Sequence, residues 1–222
     1  MEFLTLFYKA GRIVVYAGAA PGTHIPFLAD LFPGLTFYLI DPAEFWCSER
    51  DWIIIKREFF TDKTVPLIKE YAGGREILFI SDVRSADPKV LPKEEVEDCV
   101  ARDMESQMKW AIDLDPVASM HKFRLPYGSG TSKYLDGKIY LPIWGPETTT
   151  ETRLIVTNHQ ISNIRDYDNT EYEQQMFYFN TVTRVRYHLH NFQAPGIDHC
   201  FDCVSEIAVL RCLISFMIFV II

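Results

Sequence analysis

The segment Val14-Val-Tyr-Ala-Gly-Ala-Ala-Pro-Gly-Thr-His24 joins a short apolar run to a helical pattern. Gly18 suits the sharp turn and Gly22 lets backbone approach a ligand closely. Asp41 closes the next apolar run, 19 residues after Gly22. That offset is where an acid accepts hydrogen bonds from ribose hydroxyls. Pro21 stands where a pyrophosphate loop would offer a free N–H, and the third glycine of a dinucleotide fingerprint is missing. The combination favours an adenosyl ligand without phosphate, S-adenosylmethionine (S-adenosyl-L-methionine). The alternative is a tight turn that holds nothing. A second cluster, His199-Cys200-Phe-Asp-Cys203 with His188 and His190 upstream, has a metal-binding look. Zinc wants four well-spaced ligands. Only one cysteine pair is present, so no metal is expected and a helix packed through Phe201, Val204, Ile207 and Ala208 is.

The elements that carry these residues can be read from apolar patterning. Arg12 to Tyr16, Thr36 to Ile40, Trp52 to Ile55 and Glu76 to Ile80 are short unbroken apolar runs. Such runs fit strands covered on both faces. Helical patterns follow at Ile25 to Phe32 and Thr64 to Tyr71, and a long one spans Pro92 to Leu114. Strands alternating with helices predict an α/β fold, a doubly wound and mostly parallel sheet with helices on both faces. Ligands of such sheets sit beyond the carboxyl ends of the strands. Asp82 follows the fourth strand and so faces that crevice. The second half predicts strands at Lys138–Leu141, Arg153–Val156 and Thr183–Leu189, and a helix at Tyr172–Phe179.

Composition narrows the classes. The 222 residues are 48% hydrophobic and 23% charged, which excludes dominant disorder. Five cysteines exclude a disulfide-stapled scaffold. A net charge of −8 excludes a globally basic nucleic-acid coat. Residues 117–165 differ, with six bases (Lys122, Arg124, Lys133, Lys138, Arg153 and Arg165) against three acids, which suits a short phosphate track. The apolar end, Leu213 to Ile222, is too short to span a bilayer, so no membrane association is expected. It reads as a buried helix running into an irregular end.

Several long strings are shared with a known family. Val14 to His24, Leu39-Ile-Asp41, Ile80-Ser-Asp-Val-Arg-Ser85, Asp115-Pro-Val-Ala-Ser119, Lys122-Phe-Arg124, Glu151-Thr-Arg-Leu154, Tyr172-Glu-Gln-Gln-Met176 and Val209-Leu-Arg211 resemble the poxvirus-type cap-specific mRNA 2′-O-methyltransferases of large DNA viruses. Members of that family double as the small regulatory subunit of poly(A) polymerase. The resemblance runs from about Glu2 to Ile214. It implies a Rossmann-like S-adenosylmethionine-dependent methyltransferase fold, with one domain over 1–214 and an apolar tail, 215–222, without counterpart. It implies methyl transfer to the ribose 2′-hydroxyl of the first transcribed nucleotide of capped mRNA. The host cell cytoplasm and packaging in the virion follow as locations, and the catalytic subunit of poly(A) polymerase follows as a heterodimer partner.

The resemblance also distributes roles. Lys122 becomes the general base, with Asp82 and Glu151 beside it. The donor set is Tyr16, Gly18, Ala20, Gly22, His24, Asp41 and Asp82, with Phe60 beside the adenine. A methylated guanine is cationic and favours aromatic faces with an acid on its N–H edge. Tyr127 and Glu173 match that pocket, while Thr148 replaces the second aromatic and Ser129 falls where a second acid belongs. Trp144 is the expected substitute. The family's first active-site lysine precedes the residue matching Glu2, so the chain reads as truncated at its N-terminus. That loss makes a non-catalytic RNA-binding subunit of the polymerase the alternative function. A ribosomal-RNA-type 2′-O-methyltransferase, which needs no cap pocket, is a weaker third reading.

Overall fold

The computed structural model describes residues 1–87 and 89–221, with side chains described as far as 218. Seven strands form the central sheet: β1 (Ile13–Ala17), β2 (Thr36–Ile40), β3 (Ile53–Lys56), β4 (Ile77–Ser81), β5 (Ala118–Phe123), β7 (Lys138–Tyr140) and β8 (Thr152–Thr157). Their order is β3-β2-β1-β4-β5-β8-β7. The first five strands in that order pair in parallel, and β8 and β7 add an antiparallel edge. The predicted α/β class and mostly parallel sheet are what the chain adopts. A separate two-stranded sheet pairs β6 (Thr131–Leu135) with β9 (Ile164–Asp168).

Side chains of β1 show why both faces must be covered. Ile13, Val15 and Ala17 enter one core, and Val14 enters the other. Successive strand residues point to opposite faces. α3 (Thr64–Ala72) and α4 (Lys93–Leu114) supply the first core, burying Val65, Ile68, Val100, Met104 and Trp110. α1 (Glu2–Phe7), α2 (Ile25–Leu31) and α6 (Phe201–Ile221) supply the second, through Phe3, Leu4, Ile25, Ala29 and Leu213. α4 buries Val100, Asp103, Met104, Gln107, Ala111 and Leu114, a three-to-four-residue spacing that keeps one helix face inward.

Two expectations are corrected. Residues 183–189 are not a strand. α5 (Asn169–Tyr178) passes into a π-helical turn, Phe179–Thr183, and irregular chain follows. Val185, Tyr187 and Leu189 are exposed there, so the apparent alternation has no sheet to face. The C-terminal segment is not irregular either, because α6 continues unbroken past residue 214 to Ile221, and residue 222 lies outside the described residues. Among the described residues no helix is long and apolar enough to cross a membrane.

Candidate active site

β1, β2, β4 and β5 end together, and their last residues build one crevice. The sheet order reverses between β1 and β4, the place where open α/β sheets bind ligands. The Gly18 N–H donates to the Ile40 carbonyl at 2.9 Å, and the Asp82 N–H donates to Ala17 at 2.9 Å. Gly18 has φ +78°, and a Cβ there would lie 2.9 Å from the Asp82 carbonyl. No other residue fits this approach without displacing Asp82. Asp41 ties down the loop: its Oδ2 accepts from Ala20 N at 3.2 Å and its Oδ1 from Ala43 N at 2.8 Å. A carboxylate has about four lone-pair sites, so acceptor capacity remains.

The crevice encloses about 380 Å³. Of the expected donor residues, Gly18, Ala20, Asp41, Phe60 and Asp82 line it, as does Lys122. Tyr16, Gly22 and His24 do not line it. Burial, then the charges of Asp82 and Asp41, push the Tyr16 hydroxyl up to about 12, so it stays neutral. Burial pushes the His24 imidazole below its ordinary value. Phe60 is largely core, 4.7 Å from Trp110 and 5.7 Å from Phe79 between ring centres. Its exposed neighbour Phe59 also lines the crevice, and the sequence argument had not used it.

The three expected catalytic residues meet. Lys122 Nζ lies 3.3 Å from Asp82 Oδ1 and 3.5 Å from Glu151 Oε2. Two further cations join them. Arg153 sits directly across the β5–β8 ladder from Lys122 and grips both acids, at 2.9 Å to Asp82 and 2.8 Å to Glu151. Arg84 lies 3.7 Å from Glu151 and 4.0 Å from Asp103. Burial raises the Glu151 carboxyl, but the Arg153 hydrogen bond and the charges of Lys122, Arg153 and Arg84 outweigh it, and the net shift is downward. Arg84 Nη1 and Nη2 are buried without a hydrogen-bond partner among the described residues. Both arginines lay in strings visible in the sequence. Spacing gave no sign that Arg153 would face Lys122, because β5 itself, with His121 and Lys122 breaking its apolar pattern, was not recognised as a strand.

A second pocket of about 270 Å³ is lined by Tyr127, Thr148, Glu173 and Phe177, among others. Glu97 braces its rim by accepting both Arg124 guanidinium nitrogens at 2.9 Å and the Tyr127 N–H at 2.8 Å. The Arg124 guanidinium covers one face of the Tyr127 ring at 4.5 Å. Trp144 is not in this pocket. Its indole N–H donates to Glu206 at 3.0 Å and its backbone N–H to Asp202 at 2.9 Å, which dock it on α6. Phe177, exposed on α5, is the second aromatic at hand. Of the six bases expected to form a phosphate track, Lys122, Arg124 and Arg153 pair with acids and Arg165 lies 4.0 Å from Asp136.

The family model described as poly A polymerase regulatory subunit matches residues 4–213. The chain is 30% identical over 190 residues to the cap-specific mRNA (nucleoside-2'-O-)-methyltransferase of Myxoma virus (strain Lausanne), covering 79% of this chain and 55% of that protein. It is 31% identical over 188 residues to the protein of that name from Fowlpox virus (strain NVSL), covering 78% and 60%. The chain thus spans somewhat over half the length of these relatives. The solved structure of bluetongue virus VP4, described as a multifunctional RNA-capping production line, matches with a TM-score of 0.62 at 15% identity. That match covers 79% of this chain and 30% of the other, and it bears on the fold alone.

Proposed function

The chain belongs to the poly A polymerase regulatory subunit family, and from that premise we propose that it methylates the ribose 2′-hydroxyl of the first transcribed nucleotide of capped mRNA. One observation carries the reading: Lys122, held between Asp82 and Glu151, opens onto the same crevice as Gly18 and Asp41. S-adenosylmethionine is the donor that fits, because the crevice offers an acid for ribose hydroxyls and no phosphate cradle. When bound, it supplies an electrophilic methyl on sulfur. The rest falls to the chain. Asp41 holds the ribose and the loop together. Lys122 takes the proton from the attacking hydroxyl, which is a poor nucleophile without a positioned base. Asp82 and Glu151 fix the position of its Nζ. Arg153 locks both acids in turn and keeps them from drifting together. Arg84, facing Glu151 and Asp103 from the crevice wall, adds positive charge beside the two acids.

The test is direct. Capped RNA and methyl-labelled donor are incubated with the protein, and the digested product is searched for a 2′-O-methylated first nucleotide. RNA binding without transfer would favour the second reading, a non-catalytic subunit that holds RNA for a poly(A) polymerase. The description of the matching family supports that alternative.

Two outcomes probe the separate pockets. Asp41→Ala should weaken donor binding by about 1–3 kcal/mol, since a hydrogen-bonding carboxylate is lost. Calorimetry finding unchanged affinity in a folded variant would remove Asp41 from the donor site. For the cap, we place the methylated base on the free face of Tyr127, with Glu173 at its edge and Phe177 near. Tyr127→Ala and Phe177→Ala should each reduce discrimination between methylated and unmethylated cap analogues. Trp144→Ala should leave it unchanged, because Trp144 is docked on α6. Fluorescence titration checks this, and a loss of discrimination in the Trp144 variant alone would refute the pocket.

A further inference from the structure

Residues 184–200 form a long connection with neither helix nor strand, between the π-helical turn and α6. Connections of this length without regular structure need fastening from elsewhere. Some of that fastening is visible. Arg184 donates to Asp202 through Nε at 2.8 Å and Nη2 at 3.1 Å, which anchors the first turn of α6. The His188 N–H donates to the His199 carbonyl at 2.7 Å, closing the loop on itself.

At the end of this loop three donors converge. Asp198, Cys200 and Cys203 bring a carboxylate oxygen and two Sγ atoms within 4.8 Å of one another. The cysteines are free, Cys203 buried and Cys200 half-buried. Backbone amides already point at the sulfurs: Asp198 N–H approaches Cys203 Sγ at 3.3 Å, and Cys203 N–H approaches Cys200 Sγ at 3.5 Å. The sulfurs sit at the N-terminus of a helix of 21 residues, which favours negative charge, while burial and then the Asp198 hydrogen bond push the Cys200 thiol up to about 11. Counting cysteines and histidines along the sequence had set a metal aside, because the third donor is a carboxylate. The histidines are not part of it. His199 is stacked between Tyr187 and His190, at 4.3 and 4.2 Å, with Nδ1 turned to the His188 carbonyl.

We propose that Asp198, Cys200 and Cys203 bind a zinc ion that clips the 184–200 loop to the start of α6. Zn–S bonds of about 2.3 Å in a tetrahedron set the two sulfurs roughly 3.8 Å apart. The three donor atoms already lie within 4.8 Å of one another. Two thiolates and one carboxylate select a borderline-soft, tetrahedral cation over magnesium or calcium, which prefer oxygen alone. A water completes the coordination. The site lies apart from the crevice at the strand ends, so it stands independently of the methyltransferase reading.

The test uses the full chain, reduced and stripped with a chelator, then titrated with zinc against a competing fluorescent indicator. About one equivalent should bind, and thermal unfolding should shift upward with zinc. Cobalt in place of zinc should give a thiolate charge-transfer band in the near ultraviolet. Cys200→Ser with Cys203→Ser should lose the metal and the band. Should that double variant fail to fold by circular dichroism, Asp198→Asn serves instead. Losing even an outer-shell partner costs about 10–100-fold in metal affinity, so losing this ligand should weaken binding at least about tenfold. Substoichiometric zinc in the reduced parent chain, or full zinc in the folded double serine variant, would overturn the proposal. A Cys200–Cys203 disulfide in air with no zinc uptake after reduction would also overturn it and assign the pair to redox chemistry.

Discussion

Lys122→Met is expected to lower methyl transfer to capped RNA by about 10²–10⁴-fold, the usual contribution of a positioned general base. Methionine keeps the length and the apolar stem and removes only the amine. Asp82 and Glu151 remain gripped by Arg153 in the variant, so the crevice should keep its shape and the donor its affinity. The loss should therefore fall on the rate constant in single-turnover assays and not on donor binding by calorimetry. A variant that transfers at the parent's rate across the pH range would rule out Lys122 as the base. Arg153→Lys makes a useful companion. It keeps a charge but loses the two-pronged grip, so it should slow transfer less than Lys122→Met.

The second large effect is on stability in acid. His121 is fully buried in β5, with Nε2 2.7 Å from Ser119 Oγ and Nδ1 unpartnered among the described residues. Burial pushes its imidazole down to about 3. The unfolded chain carries an ordinary histidine, which titrates near 6.5. Below that pH the unfolded state takes up a proton that the folded state refuses. Stability is thus unaffected by His121 above about pH 6.5 and falls by about 1.4 kcal/mol per pH unit below it. The fall ends as the folded imidazole itself protonates, near pH 3. Urea unfolding at several pH values should show this slope in the parent and lack it in His121→Gln. Equal slopes in the two proteins would mean that His121 is hydrated or protonated in the fold.

Much of the fold was legible from the chain. β2 falls on the residues its apolar run marks, Thr36–Ile40, and α4 starts one residue after Pro92. Short unbroken apolar runs bounded by Gly, Pro and Asp fit strands buried on both faces, whereas the apolar run after Leu213 continues a helix. The second half was harder for a physical reason. β5 carries His121 and Lys122, β6 carries Thr131, Ser132 and Lys133, and β9 carries Arg165 and Asp166. Such strands exist because partners elsewhere complete their ladders, and local patterning cannot report a partner. The acids and the lysine of the active site were found through their shared strings. Arg153 was counted as a contact for RNA phosphate, since only the pairing of β5 with β8 turns it toward Asp82. Phe177 and Asp198 were missed likewise, each made useful by chain far away in sequence.

The pairing of Lys122 with Arg153 sets different tolerances for change along the chain. Between the two strands lie β6, β7 and their loops, whose lengths do not enter the alignment of the two cations. Residues could be added or removed there, as at Gly128 or Gly130, while the base and its neighbours stay in place. A single residue inserted within β8, before Arg153, would act otherwise. It would send Arg153 to the opposite face of the sheet, because side chains alternate along a strand. Descendants of this chain can therefore vary the lengths of the connections around β6 and β7, whereas the count of residues inside two six-residue strands is fixed.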